Sequence, residues 1–439
     1  MACCALAVAV PSRLPRPKGS SVSYLRRALS ASGILVWVLA AIVLALVLGS
    51  IKIGGSPFIP QAAGRIFATF SDLFSQFLSF AIPLIIIGLV TPAIADLGRG
   101  AGKWLGITTA IAYASTIFAG LMAYLSASAL YPRLLAGQGM VAAADVEKGA
   151  LSPYFKIDME PPMGVMTALL LAFTIGVAMT AVRSDTLFAG VRDLERVVMH
   201  VITKFIIPLL PIFIFGMFLS MGMNGNLLQI LSAFARVLVL AVVLTIVLLL
   251  IQFVIAGSIA GKNPFVALKN MLPAYVTALG TSSSAATIPV TYDCAKRNNV
   301  APSVAGFTVP LCATTHLAGS MLKIGLFAFA ITYMADIELT PGKAIGFIFM
   351  LGITMVAAPG VPGGAIMAAV GLLSSMLGFT NDQVGLMIAA YIAIDSFGTA
   401  CNVTGDGAIA LVVNKLAKGQ ISRAELVDVQ SNRDDIIEE

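Results

Sequence analysis

Charge is scarce in this chain. Charged residues make up 11% of its 439 positions, 27 basic and 21 acidic, against about 25% in an ordinary soluble protein. With 59% hydrophobic residues, that excludes a soluble globular protein and leaves an integral membrane protein with several spans. Cysteine is equally uninformative as a scaffold. Cys3, Cys4, Cys294, Cys312 and Cys401 are odd in number and irregularly spaced, which argues against disulfides and against a zinc site. No GxSxG, HExxH or Walker A sequence occurs, so there is no motif for an enzyme or for a nucleotide-driven pump. No basic-aromatic groove pattern suggests nucleic acid as a partner. Work done across a membrane by such a chain must draw on an ion gradient.

What is present is a succession of apolar spans. Residues 1–32, with Arg13, Arg16, Lys18, Arg26 and Arg27 and no acid, read as a disordered basic arm. It is either an organellar targeting segment or, preferred here, the product of a misplaced start codon. Apolar spans are expected at about 33–53, 72–95, 104–130, 163–183, 198–222 and 228–256, each near the ~20 residues that cross a bilayer. The polar stretch 132–162 reads as a surface insertion. After Gly261 the pattern changes. Two apolar arms too short to cross flank Thr281-Ser282-Ser283-Ser284, and two more flank the stretch from Pro359 to Gly364. Each pair reads as a re-entrant hairpin, since irregular backbone at membrane depth survives only against protein or a water-filled cavity. Between them a seventh span, 300–334, is interrupted at Thr314–Ser320, and an eighth runs from Tyr391 to Lys415.

The fold expected is therefore an all-α polytopic membrane protein with eight transmembrane helices and two re-entrant helical hairpins. Two hairpins, each followed by a spanning helix, form an inverted repeat, and Gly/Pro-interrupted short segments in corresponding positions mark the binding site of a secondary transporter. Lys and Arg concentrate in the connectors Asp96–Lys103, Arg183–Arg196, Gly261–Asn263 and Asp293–Asn299 and in the tail after Lys415. The positive-inside rule then puts both termini in the cytoplasm of a cell-membrane protein.

The chemistry concentrates in the eighth span. Asp395, Thr399, Asn402 and Asp406 recur at i, i+4, i+7 and i+11, one face of a helix. Gly398, Gly405 and Gly407 leave backbone accessible nearby. A carboxylate at the bilayer centre costs about 2.5–3.5 kcal/mol on insertion scales and so faces a polar cavity. An oxygen-lined anionic face suits a monovalent cation, although pairing with basic residues on neighbouring helices also fits. The serine tip can hold a carboxylate with help from a half-helix dipole, or be a plain polar turn. The Pro359–Gly364 tip can coordinate a cation and gate, or be an ordinary loop. His316 can carry a proton or serve structurally. Lys323 can pair with Asp395 or Asp406, stand in for a bound cation, or snorkel to the interface.

The sequences TSSSAATIPVT, PLCATTHLAGS, GVPGG and NVTGD, in this order, resemble the glutamate transporter family, the dicarboxylate/amino acid:cation symporters, over about residues 33–417. That resemblance implies a homotrimer embedded in lipid and an elevator-type transporter. Scaffold helices would lie at 33–103 and 132–226, a transport domain at 104–131 and 227–417, and a cytoplasmic tail at 418–439. It implies that Ser283 and Ser284 meet the substrate carboxylate, Asp395 its ammonium group, and Asn402 the substrate. Asp406, with carbonyls near His316 and Asn402, would hold Na+, as would Tyr113 and Thr116, while Val361 and Gly363 form the gate.

Two departures carry weight. Where the family has NMDGT, this chain has His316-Leu317-Ala318-Gly319-Ser320, so one sodium site is in doubt and coupling by H+ is an alternative. Three residues after Asp395, where acidic-substrate members carry arginine, stands Gly398, which cannot pair with a second carboxylate. The expectation drawn is a symporter, with no cofactor beyond the coupling Na+ or H+. Its substrate is a small neutral amino acid such as serine, threonine or alanine, with Gly398, Thr399 and Ser320 lining the site and leaving room for a small side chain. The alternative is a carrier of dicarboxylates or acidic amino acids in which Lys323 replaces the missing arginine.

Overall fold

The structure, a computed structural model, describes residues 33–53, 56–99, 103–137, 151–182, 184–223, 227–356, 358 and 362–418. The expectations for residues 1–32, 138–150 and 419–439, and for Val361, lie outside the described residues.

The described chain is helical except for connectors and one two-residue strand pair, Lys52–Ile53 against Ser56–Pro57. The first helices are α1 (Gly33–Ser50), α2 (Gln61–Arg99) and α3 (Lys103–Leu134), followed by α4 (Val165–Val182). Then α5 (Asp185–Val201) runs through a π-helical turn, Ile202–Ile206, into α6 (Ile207–Met223), and α7 spans Leu227–Ala260. The expected connector at 183–196 is thus mostly helix. Ser184 caps it by accepting from Leu187 N, and Arg192–Glu195 and Asp193–Arg196 pair along its polar face. The second span is longer than expected: α2 has 39 residues, about 58 Å at 1.5 Å per residue.

The second half consists of broken elements, and at the two hairpins particular residues shape the break. Helix α8 (Pro264–Thr281) stops at Ser282, which takes φ 50°, and α9 (Ser284–Arg297) starts because Ser283 Oγ accepts from Ala286 N. One serine cluster thus ends one arm of the hairpin and caps the next. Helix α10 (Pro302–Thr315) ends at an extended His316, and α11 (Ala318–Met334) follows. The second hairpin is α12 (Pro341–Val356) and α13 (Gly364–Leu377), and Gly363 begins α13 at φ 75°, a conformation that suits only glycine well.

The last segment differs from the single span expected. A capping box between Thr380 and Gln383 starts α14 (Asn381–Ala393). The chain then bends by 61° at Ile394 into α15 (Asp395–Leu416). Asp395 is therefore the first residue of a helix and not a mid-helix residue.

Among the described residues, six helical stretches are long and apolar enough to cross a bilayer, and the bent α14–α15 pair makes a seventh. Helix α1 contributes a shorter apolar stretch, Val36–Gly49, and both arms of the second hairpin are also short. The helices pack in two sets. Helices α1, α2, α4, α5 and α6 pack mainly among themselves, and α3 joins α7 to α15, packing on α11 and α12, while α13 and α14 also pack across onto α1, α2, α4 and α6. Large apolar side chains such as Trp37, Leu125, Val239 and Phe265 are exposed on the outer helices, as lipid-facing surfaces require. Helix α11 is the opposite: from Ala318 to Met334 only Tyr333 is exposed.

Candidate functional site

The site forms where α11, α15 and the second hairpin converge. Every polar residue of the expected face of α15 is buried: Asp395, Thr399, Asn402 and Asp406 are between 1% and 6% exposed. They fall into three hydrogen-bonded groups.

The first group surrounds Asp395. Lys323, from the centre of α11, has no exposed surface. Its Nζ donates to Asp395 Oδ1 at 3.3 Å, to Ile394 O at 3.1 Å and to Asp395 O at 3.2 Å. The bend at Ile394 turns these carbonyls toward Nζ, so all three ammonium protons have acceptors. The ring of Tyr391 covers the cation, with its centroid 4.1 Å from Nζ, a cation–π contact. The other carboxylate oxygen, Oδ2, accepts from Gly363 N at 2.8 Å, tying the second hairpin to α15. Snorkelling is excluded, and Lys323 pairs with Asp395, not with Asp406. The room expected over Gly398 is not there. A Cβ at position 398 would collide with Cε and Nζ of Lys323, so the lysine fills the space that a side chain from position 398 would occupy.

The second group is built on Asn402. Helix α11 begins without a capping side chain of its own. Asn402 Oδ1 supplies the cap from the neighbouring helix, accepting from Gly319 N at 2.7 Å and Ser320 N at 3.4 Å. Its Nδ2 donates to Ser320 Oγ, which also accepts from Tyr391 OH. Both ends of the amide thus serve the break in the seventh span, whose free amides need partners.

The third group is Asp406 with His316. His316 Nδ1 lies 2.9 Å from Asp406 Oδ1, and Nε2 lies 3.1 Å from Ser115 Oγ on α3. Gln252 Nε2 on α7 donates to Ser115 Oγ at 2.9 Å. His316 thus bridges Asp406 on α15 to Ser115 on α3 through its two ring nitrogens. Gln252 Oε1 is buried with no partner among the described residues.

Other expected residues stand as follows. Thr399 Oγ1 donates to Asp395 O, one turn back. Ser283 caps α9 and Ser284 is buried at the hairpin tip, whose arms α8 and α9 both pack on α15. Tyr113 and Thr116 share α3 with Ser115. Tyr113 OH donates to Phe349 O on α12, and Thr116 Oγ1 to Ala112 O within its own helix. Ser115 and Gln252 went unseen in the sequence. Gln252 carried a usable signal, being an amide inside a long apolar span. Ser115 carried none.

Helices break inside this membrane-spanning fold, and buried carboxylates lie against the breaks. The profile of the Sodium:dicarboxylate symporter family matches residues 34–416, and the chain belongs to that family. It is similar to Excitatory amino acid transporter 1 of Homo sapiens, 34% identical over 166 residues, which is 38% of this chain and 30% of that protein. Excitatory amino acid transporter 3 of Homo sapiens is 36% identical over 171 residues, 39% of this chain and 32% of the relative. Excitatory amino acid transporter 5 of Homo sapiens is 32% identical over 166 residues, 38% and 30% respectively. The aligned stretches span less than a third of the length of these relatives.

Proposed function

We propose that the protein is a secondary active symporter that couples sodium entry to uptake of an acidic amino acid by an elevator-type movement. The observation that carries the substrate class is the place of Lys323, over Gly398 and against Asp395. A substrate ammonium group that binds Asp395 displaces Lys323. With a neutral amino acid, the displaced lysine has only the substrate's α-carboxylate to pair with, which either draws that group from the Ser283–Ser284 tip or leaves the lysine a buried cation without a counter-ion. With a C4-dicarboxylate, Lys323 stays on Asp395 and the second carboxylate finds no cation. An acidic amino acid gives every charged side chain a partner of opposite sign, and the arrangement keeps one net negative charge for the coupling cation. Its ammonium takes Asp395, its side-chain carboxylate takes Lys323, and its α-carboxylate takes the Ser283–Ser284 tip at the start of α9. The neutral substrate expected from Gly398 alone is therefore the weaker reading.

Sodium as the coupling ion is supported by the family's description and by oxygen-bearing residues around Asp406. Because Asp406 shares one oxygen with His316, proton coupling is the second reading. In this account α3 and α7 to α15 form the moving body, α1, α2 and α4 to α6 form the scaffold of a homotrimer, and both termini are cytoplasmic. The test is uptake into proteoliposomes under an imposed sodium or proton gradient. The proposal expects sodium-driven aspartate or glutamate uptake, and serine uptake without aspartate competition overturns it.

A further inference from the structure

Lys323 lies in a cage already built for an ammonium group. Three oxygens accept its protons, two of them backbone carbonyls turned inward by the bend at Ile394, and the Tyr391 ring covers it. Substrate ammonium and Lys323 compete for the same carboxylate oxygen. The second oxygen of that carboxylate holds the tip of the second hairpin through Gly363 N. Gly398 leaves the space in which the lysine lies, since a side chain at that position would meet its Cε and Nζ.

We infer that Lys323 is a tethered stand-in for the substrate's ammonium group: in the empty carrier it neutralises Asp395 and so keeps that residue in place to latch the second hairpin shut. The inference rests on the reading of Asp395 as the substrate's ammonium partner, and it adds what happens when no substrate is bound. A bare carboxylate in this apolar setting would draw in water or a free cation, and either would pull Asp395 from Gly363. The resident lysine removes that need. The empty transport body is then charge-balanced and closed with nothing bound. Binding becomes an exchange of one ammonium for another, in which the displaced lysine must find a new anion. Lys323 is thus a positioning residue for the gate as well as a determinant of specificity.

The experiment uses the full-length chain in proteoliposomes without substrate. The five native cysteines are replaced by alanine, and one cysteine is placed at Ala365, which is 5% exposed beside the tip. Its rate of labelling by a membrane-impermeant maleimide reports hairpin opening. Lys323→Ala should label at least about tenfold faster than the parent, as the loss of one partner of a buried pair implies. Propylammonium, which refills the cage, should slow labelling again, whereas equal sodium should not. Gly398→Ala keeps the lysine but pushes it off Asp395, and should also label faster, so the test stands even where Lys323→Ala fails to fold. Parent-like labelling of either folded variant, or acceleration that propylammonium leaves untouched, overturns the latch. Because no substrate is present, the outcome is separate from that of the substrate reading. Serine-selective uptake with a lysine-dependent latch sinks only the latter, and lysine-dependent aspartate uptake with an unaltered hairpin sinks only the former.

Discussion

His316 Nδ1 and Asp406 Oδ1 lie 2.9 Å apart, with neither side chain more than 2% exposed. Ser115 and Gln252 hold the far side of the imidazole, so the ring is fixed at both nitrogens. A hydrogen bond to a charged group contributes about 1.5–3 kcal/mol, and orphaning its buried partner costs at least as much. His316→Leu should therefore lower the thermal midpoint of the purified protein substantially. His316→Asn returns an amide donor and adds an oxygen. It should regain part of the stability and should gain more from added sodium than the parent does. A midpoint unchanged in His316→Leu would contradict this role.

Asn402 caps a helix to which it does not belong. Truncating an N-cap costs about 0.5–2 kcal/mol, and here Ser320 Oγ loses a donor as well. Asn402→Ala should destabilise the protein by about 1–2 kcal/mol. It should also speed hydrogen exchange at the Gly319 and Ser320 amides selectively. If those two amides keep the exchange rates of the parent, the cap is not made by Asn402.

Gly363 tests the gate by backbone alone. A Cβ added there meets nothing within 4 Å, but φ is 75°. Gly363→Ala should therefore cost about 1–2 kcal/mol through conformational strain, with no packing defect. Because that strain falls on the residue that donates to Asp395 Oδ2, the variant should lose transport rate out of proportion to its stability. Equal losses in both would argue that the hairpin tip has no gating part.

The breaks of both hairpins were legible because local residues shape them. Ser282 tolerates a left-handed turn, Ser283 caps, and Gly363 adopts positive φ. The bend at Ile394 was not legible. The sequence Tyr391-Ile392-Ala393-Ile394-Asp395 contains no glycine or proline, and the bend coincides with the Lys323 ammonium bound by the carbonyls of Ile394 and Asp395. Periodicity placed Asp395, Asn402 and Asp406 on one buried face, but it could not say that each already has a partner. Ser115 and Gln252 lie on helices far apart in sequence, and only packing brings them to His316. Gly398 misled for the same reason: an empty position on one helix was filled from another.

The central claim is that Lys323 supplies the cation for a substrate's second carboxylate. The most direct measurement is calorimetric titration of aspartate and of serine into the purified full-length protein and its Lys323→Met variant, in sodium. The account predicts that aspartate binds the parent far more tightly than serine does. It also predicts that Lys323→Met loses aspartate affinity by at least about a hundredfold, the value of about 2.7 kcal/mol, while its serine affinity rises, because no lysine then has to be displaced from Asp395. Serine binding the parent as tightly as aspartate, or aspartate affinity surviving in the Met variant, would contradict it.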